Sequence, residues 1–171
     1  MNIYQPYEVL ADRDDCLHLI ETDARERIHL TVFRILPIFM LLLVWFILQQ
    51  IGPQIPMGWN YLIIAATVSG TAFLFFKSYV TEIKITAGEV YLLKKTIKGP
   101  KEVTIPVSDV DRITFKRTGG KTAGAIFFLH TKTKKNYPLL TIPGFYADEH
   151  HITLIEERLK QLLGTEVSGK P

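Results

Sequence analysis

The run ILPIFMLLLVWFILQQI, at residues 35–51, decides the fold class of this chain. Extended back to Thr31 it holds 21 residues, and a helix of that length spans ~31 Å, close to the ~30 Å of a bilayer's hydrocarbon core. A second run, GWNYLIIAATVSGTAFLFF at residues 58–76, would span ~28 Å. Two such runs are hard to bury in a soluble domain of this size. We therefore expect a two-helix transmembrane hairpin, at about 31–51 and 58–77.

The distribution of basic residues predicts the orientation of this hairpin. The loop at residues 49–60 contains no Lys or Arg. The flanking basic residues are Arg25, Arg27 and Arg34 on one side, and Lys77, Lys84, Lys94 and Lys95 on the other. Because positive charge stays on the cytoplasmic side, both termini are expected there. The sequence thus predicts a two-pass protein of an inner or cytoplasmic membrane, or of a thylakoid.

Small residues in the second run predict close helix packing. Ala66 and Gly70 lie four residues apart and share one helix face. Such a face lets the backbone of another helix approach closely. Its occupant is either the first helix of the same chain or a second copy.

Charge is unevenly spread along the chain. Residues 1–34 hold four Arg and seven acidic residues, a net charge of −3, whereas residues 79–171 hold fifteen Lys or Arg and ten acidic residues, a net charge of +5. The basic excess favours anionic partners such as lipid headgroups, although solubility alone also explains it. With Cys16 as the single cysteine, neither an intramolecular disulfide nor a CxxC motif is possible.

Short strand patterns follow the hairpin. Six segments alternate or cluster apolar residues between turn signals: EIKIT, VYLLKKT, EVTIPV, VDRITFKR, GAIFFLHT and YPLLTI. A helix then begins near Asp148, repeats its apolar residues every three or four positions, and ends before Gly164. The predicted fold class is a membrane α-helical hairpin plus an α+β domain, with antiparallel strands closed by a C-terminal helix.

This pattern resembles a known family. The strand order, the segment IPVSDVDRI, the glycine-containing hairpin TGGK at 118–121 and the single terminal helix are similar to the bacterial pleckstrin-homology-like (PH-like) domain. With the preceding hairpin, the layout resembles small bacterial PH-like-domain membrane proteins, and also a chloroplast photosystem I assembly factor. The resemblance covers residues 29–164. It implies a binding module without specifying a ligand.

The implied organisation has four parts. They are a cytoplasmic N-terminal arm (1–28), the hairpin (29–78), the PH-like domain (79–164) and a tail (165–171). Within the arm, Leu17, Leu19 and Ile20 predict a strand that docks on the domain, and Asp23 with Glu26 resembles a capping box that starts the first helix. An arm without a role is the alternative.

Catalytic and metal motifs are not recognisable in the sequence. His150 and His151 are adjacent and cannot chelate through one helix face. Asp109 and Asp111 flank a bend with no sign of the pocket that acid–base catalysis requires. The segment TGGK lacks the spacing of a phosphate-binding P-loop. We expect a non-enzymatic protein with no metal, cofactor or nucleic-acid partner.

Two cationic clusters are the candidate contact residues for an anionic headgroup or a protein partner. They are Lys116, Arg117 and Lys121 at one hairpin, and Lys132, Lys134 and Lys135 at the next turn. Consecutive turns of an antiparallel sheet lie at opposite ends, so the clusters need not merge. Solvated turns without a ligand are the plain alternative.

The expected function is therefore that of a scaffold or accessory protein, which docks or helps to assemble a membrane protein complex. An anionic-lipid-sensing module is the first alternative, and a photosystem assembly-factor-like protein is the second. A membrane enzyme is disfavoured because the apolar runs carry few polar groups. A channel formed by oligomers is a further alternative that the sequence does not exclude.

Overall fold

The computed structural model describes residues 3–117, 124–144, 148–165 and 167–170 of the chain. Its contacts divide the chain into two compact units. The helical unit comprises Asp23–Ser78 with Thr96–Gly99, and the strand unit comprises Met1–Thr22, Tyr79–Lys95 and Pro100–Pro171.

Two long helical segments form the helical unit. Its elements are helix α1 (Asp23–Leu30), a π-helical turn (Thr31–Ile35), helix α2 (Leu36–Ile51), a 3-10 turn (Gly52–Gln54) and helix α3 (Met57–Phe75). The first three run on as one helix of 29 residues, with an apolar stretch of mean hydropathy 2.4. The corresponding value for α3 is 1.3. Both segments are long and apolar enough to cross a membrane, as the two apolar runs predicted.

Most apolar side chains of these helices are exposed. Leu42 is 61% exposed, Trp45 is 62% exposed and Phe73 is 71% exposed. Helices of a water-soluble domain keep such residues on a face that packs against a core. Helix α2 buries only Pro37, whose carbonyl oxygen lies 3.5 Å from the Thr71 hydroxyl. The contact between α2 and α3 thus leaves most of their apolar surface uncovered.

The strand unit contains two sheets and one helix. Sheet 1 has the order β1-β2-β3-β4-β5, with strands Tyr7–Arg13, Cys16–Glu21, Tyr79–Thr86, Glu89–Thr96 and Gly99–Pro106. Sheet 2 has the order β8-β7-β6-β9, with β6 at Val110–Arg117, β7 at Ala125–Thr131, β8 at Asn136–Ile142 and β9 at Val167–Lys170. Helix α4 (Glu149–Leu163) follows β8. The predicted α+β class, with antiparallel sheets and a C-terminal helix, is confirmed.

One hydrophobic core takes side chains from both sheets and from α4. In β7 every second residue is buried, including Phe127 and Leu129, which is the pattern expected of a strand with one face on a core. The buried residues of α4 are Ile152, Ile155, Leu159, Leu162 and Leu163. Asp148 caps this helix by accepting a hydrogen bond from the His151 amide, and Gly164 ends it at φ 61°. Both helix ends lie where the sequence predicted them.

The N-terminal residues belong to the strand unit. The strand predicted around Leu17 is β2, which pairs antiparallel with β3 from Cys16↔Thr86 to Ile20↔Glu82. Strand β1 was not predicted, and it pairs with β2 at the edge of sheet 1. Arg158 of α4 holds this edge through an ion pair with Asp12, at 2.7 Å.

The chain connectivity has a direct consequence. Strands β2 and β3 are neighbours in one sheet, yet the whole helical hairpin lies between them in sequence. The hairpin is therefore an insertion between two paired strands, and the expected N-terminal arm supplies two strands of sheet 1. The expected tail likewise contributes β9, which pairs parallel with β6.

Candidate functional site

An open cleft of about 510 Å³ lies at one end of sheet 2. Its lining residues are Asp111, Arg112, His130, Thr131, Lys132, Lys134 and Asn136. They come from strand β6, the end of β7 and the turn into β8. Of the cluster predicted at this turn, Lys132 and Lys134 line the cleft and Lys135 does not. The pairing Arg112↔His130 adds residues from the neighbouring strand.

The turn between β7 and β8 is held by one buried side chain. Thr131 is buried, and its hydroxyl contacts the Thr133 hydroxyl at 2.8 Å and the Lys135 amide at 3.1 Å. Lys134 adopts a left-handed backbone conformation at φ 61°. A tight turn therefore presents Lys134 and Lys135 as exposed side chains on a fixed backbone.

A chain of polar contacts shapes the floor of the cleft. His130 Nε2 lies 2.7 Å from the Thr114 hydroxyl, and its Nδ1 lies 2.7 Å from Asn136 Oδ1. Because Oδ1 can only accept a hydrogen bond, Nδ1 carries the proton and donates it. Among the described residues no acceptor contacts the Asn136 side-chain N–H groups, so both donors are available to another acceptor.

The charge of the cleft is mainly positive. Arg112 and Lys134 are exposed, and Lys132 donates a hydrogen bond to the Ser108 carbonyl at 2.7 Å. Asp111 is the acidic member of the lining. Three cations against one carboxylate, with amide donors nearby, suit an anionic group such as a carboxylate or a phosphate.

The other predicted cationic cluster lies at the opposite end of sheet 2. The register pairs Arg117 with Ala125 at that end, and His130 with Asn136 at the cleft end. Lys116 is exposed, and Arg117 lies 3.6 Å from the exposed Glu149 carboxylate. The third member, Lys121, lies outside the described residues. The described members of the two clusters therefore lie at opposite ends of sheet 2, with Lys116 and Arg117 at one end and Lys132, Lys134 and Lys135 at the other.

A further basic residue, Lys94, packs on an aromatic ring. Its ammonium lies 4.6 Å from the centroid of the Tyr137 ring. Burial, and then the charge of Lys101, lower the pKa of Lys94. No sequence pattern indicates that Lys94 contacts Tyr137, which lies on another strand.

Ala66 and Gly70 lie on the exposed side of α3. A side chain placed at Gly70 would meet no atom within 4 Å. Thr71, not this small-residue face, carries the hydroxyl that reaches α2. The first helix of the same chain is therefore not the occupant of this face, and packing through Ala66 and Gly70 stays a prediction for a second chain.

The base of the helical hairpin carries a reciprocal pair of cation–ring contacts. The Arg34 guanidinium lies 5.3 Å from the centroid of the Phe75 ring, and the Lys77 ammonium lies 5.0 Å from the centroid of the Phe33 ring. Arg34 also donates hydrogen bonds to the carbonyls of Phe75 and Lys77, the latter at 3.4 Å. The sequence shows Arg34 beside the first apolar run, but no local pattern indicates that it caps the other helix.

Within the described parts of the chain, no three His, Cys, Asp or Glu residues come together as a metal-binding group. No protein-family model matches this sequence, and no curated protein matches it either. The resemblance to PH-like proteins accordingly depends on strand order and on the position of the terminal helix.

Proposed function

We propose that this chain is a non-enzymatic, two-pass membrane protein whose PH-like domain docks another membrane protein or complex on the cytoplasmic side. The observation that carries the proposal is the contrast between the two units. The strand unit buries most of its apolar side chains in one core, whereas the hairpin leaves Leu42, Trp45 and Phe73 exposed. Exposed apolar surface costs ~25 cal/mol per Å² in water, and hydrocarbon removes that cost.

The basic cleft supports the docking part of the proposal. Arg112 on β6, Lys134 in the turn and the Asn136 amide offer donors to an acidic segment of a partner. Because Thr131 holds the backbone of the turn by hydrogen bonds, binding does not have to order that backbone. Charge complementarity of this kind mainly sets specificity and the rate of association.

A pair of charge-matched variants tests the docking. Full-length protein is purified in mild detergent from its native membrane, and complex size is measured by size-exclusion chromatography with mass detection. The variant Arg112→Glu/Lys134→Glu changes the charge by four units at the cleft, and Lys84→Glu/Lys160→Glu does so at exposed sites elsewhere. We expect the cleft variant alone to lose the complex. Equal complexes in both variants would contradict docking through the cleft.

Anionic-lipid sensing is the alternative that the exposed Lys132, Lys134 and Lys135 favour. Each basic residue near an anionic leaflet contributes ~1 kcal/mol. A sensor should bind protein-free anionic vesicles and release them as salt rises, because exposed charges are screened. The strand unit, with a short Asn-Gly turn in place of residues 23–78, provides the probe. Its failure to bind such vesicles would favour docking on protein.

A further inference from the structure

A hollow of about 490 Å³ lies at the end of helix α3. It is lined by Ala72, Phe73, Phe76, Lys77 and Ser78. The rings of Phe73 and Phe76 are exposed, and so are Lys77 and Ser78 at the polar end. The hollow is therefore apolar on one side and cationic on the other, which is the division found in a phospholipid molecule.

The end of a helix normally repels an anion. The last carbonyls of a helix carry partial negative charge, equivalent to about half an electron. Here Arg34 donates to the Phe75 and Lys77 carbonyls, so its positive charge offsets the negative end of α3. The π-helical turn Thr31–Ile35 contains Arg34, and such turns often mark functional positions.

The Lys77 ammonium is oriented by a contact that leaves its N–H donors unused. It lies 5.0 Å from the Phe33 ring centroid, a contact that uses the positive charge but forms no conventional hydrogen bond. An ammonium group has three N–H donors. In the part of the chain that the structure describes, no acceptor contacts these donors or the Ser78 hydroxyl, so they are available to the oxygens of a phosphate.

We infer that this hollow holds an anionic phospholipid, with its phosphate on Lys77 and Ser78 and an acyl chain along Phe73 and Phe76. The inference builds on the proposed membrane anchoring, and makes Lys77 the contact residue. Arg34 is a positioning residue, because it acts through the α3 carbonyls. A free phosphate ion would satisfy the polar end alone, whereas a lipid also covers the two rings.

Native mass spectrometry of the full-length protein tests the site. Phosphatidylglycerol and phosphatidylcholine with identical acyl chains are supplied together, and the ratio of bound lipids is measured. We expect an excess of phosphatidylglycerol that falls about fivefold in Lys77→Gln, the factor that corresponds to one basic residue at an anionic surface. Lys84→Gln, an exposed lysine on β3, should keep the wild-type ratio.

Further experiments distinguish a lipid headgroup from a free phosphate and test the role of Arg34. Excess glycerol phosphate should leave the lipid in place, and Phe73→Ser should weaken both lipids equally. Arg34→Gln should lower the lipid ratio, and Arg34→Lys should restore most of it. A wild-type ratio near one, equal losses in Lys77→Gln and Lys84→Gln, or displacement by glycerol phosphate would overturn the site. If one of these results is obtained with a protein that stays in its membrane, the lipid site is refuted and the proposed membrane anchoring still stands.

Discussion

Replacing the helical hairpin by a turn should leave a folded, water-soluble protein. The change deletes residues 23–78 and joins Thr22 to Tyr79 through Asn-Gly. Because Ile20 pairs with Glu82, the same register places Thr22 opposite Val80, and Asn, Gly and Tyr79 then form a three-residue loop, a common length for β-hairpins. Strands β2 and β3 are already antiparallel neighbours, paired up to Ile20↔Glu82. The turn therefore replaces a long connection between strands that are in register.

The matched control is residues 79–171 alone, which lacks β1 and β2. That fragment loses four large buried side chains, Tyr4, Tyr7, Leu17 and Leu19, each 1–2% exposed in the intact chain. At ~2 kcal/mol for each buried side chain, the loss is ~8 kcal/mol. Whole domains are stable by only about 5–15 kcal/mol, so the fragment should not fold stably.

Urea denaturation followed by circular dichroism measures the difference. The turn variant should be monomeric without detergent and unfold in one cooperative transition, and the fragment should show a weak transition or none. Equal stability of the two proteins would refute the role given to the N-terminal strands. An aggregated turn variant would refute the view that the apolar surface of this chain lies in residues 23–78.

Three smaller predictions concern single side chains. Arg34→Leu removes a charge-assisted hydrogen bond to the Phe75 carbonyl, worth about 1.5–3 kcal/mol, and a longer contact to the Lys77 carbonyl. Hydrogen exchange in the last turn of α3 should therefore rise at least tenfold in detergent, and unchanged exchange would contradict the cap. Burial, and then the Asp12 charge, raise the pKa of Tyr4 from 10.0 to about 12. Between these pH values the folded state therefore binds more protons than the unfolded state, so the free energy of unfolding should fall as the pH rises from 10 to 12. The fall should be smaller in Tyr4→Phe, and thermal melts of the turn variant measure both. Asp148→Ala removes the acceptor of the His151 amide and should cost about 1 kcal/mol in urea denaturation, whereas an exposed control, Glu157→Ala, should cost almost nothing.

Local patterns were sufficient for much of the fold. The apolar runs predicted two long helices, and alternating residues predicted strands β3 to β8, because each pattern is set by which face of an element is buried. Asp148 and Gly164 marked the ends of α4 through the chemistry of helix caps. Strand β1 escaped prediction because Tyr7 is its only buried residue, so the strand shows no alternation.

Long-range pairing could not be derived from such patterns. Nothing around Leu17 indicates that its partner is Ile85, on the far side of the hairpin. The same holds for the cleft, where Arg112 meets His130 only through the register of β6 and β7. The lysines of the turn were recognisable by charge, but their neighbours across the sheet were not.

Fractionation of membranes with alkaline carbonate tests the account most directly, because it asks whether hydrocarbon covers the exposed side chains of α2 and α3. The full-length chain should stay in the pellet, and the turn variant should be entirely in the supernatant. Release of the full-length chain, or its recovery as a monodisperse protein without detergent, would contradict the membrane hairpin and with it the proposed lipid site.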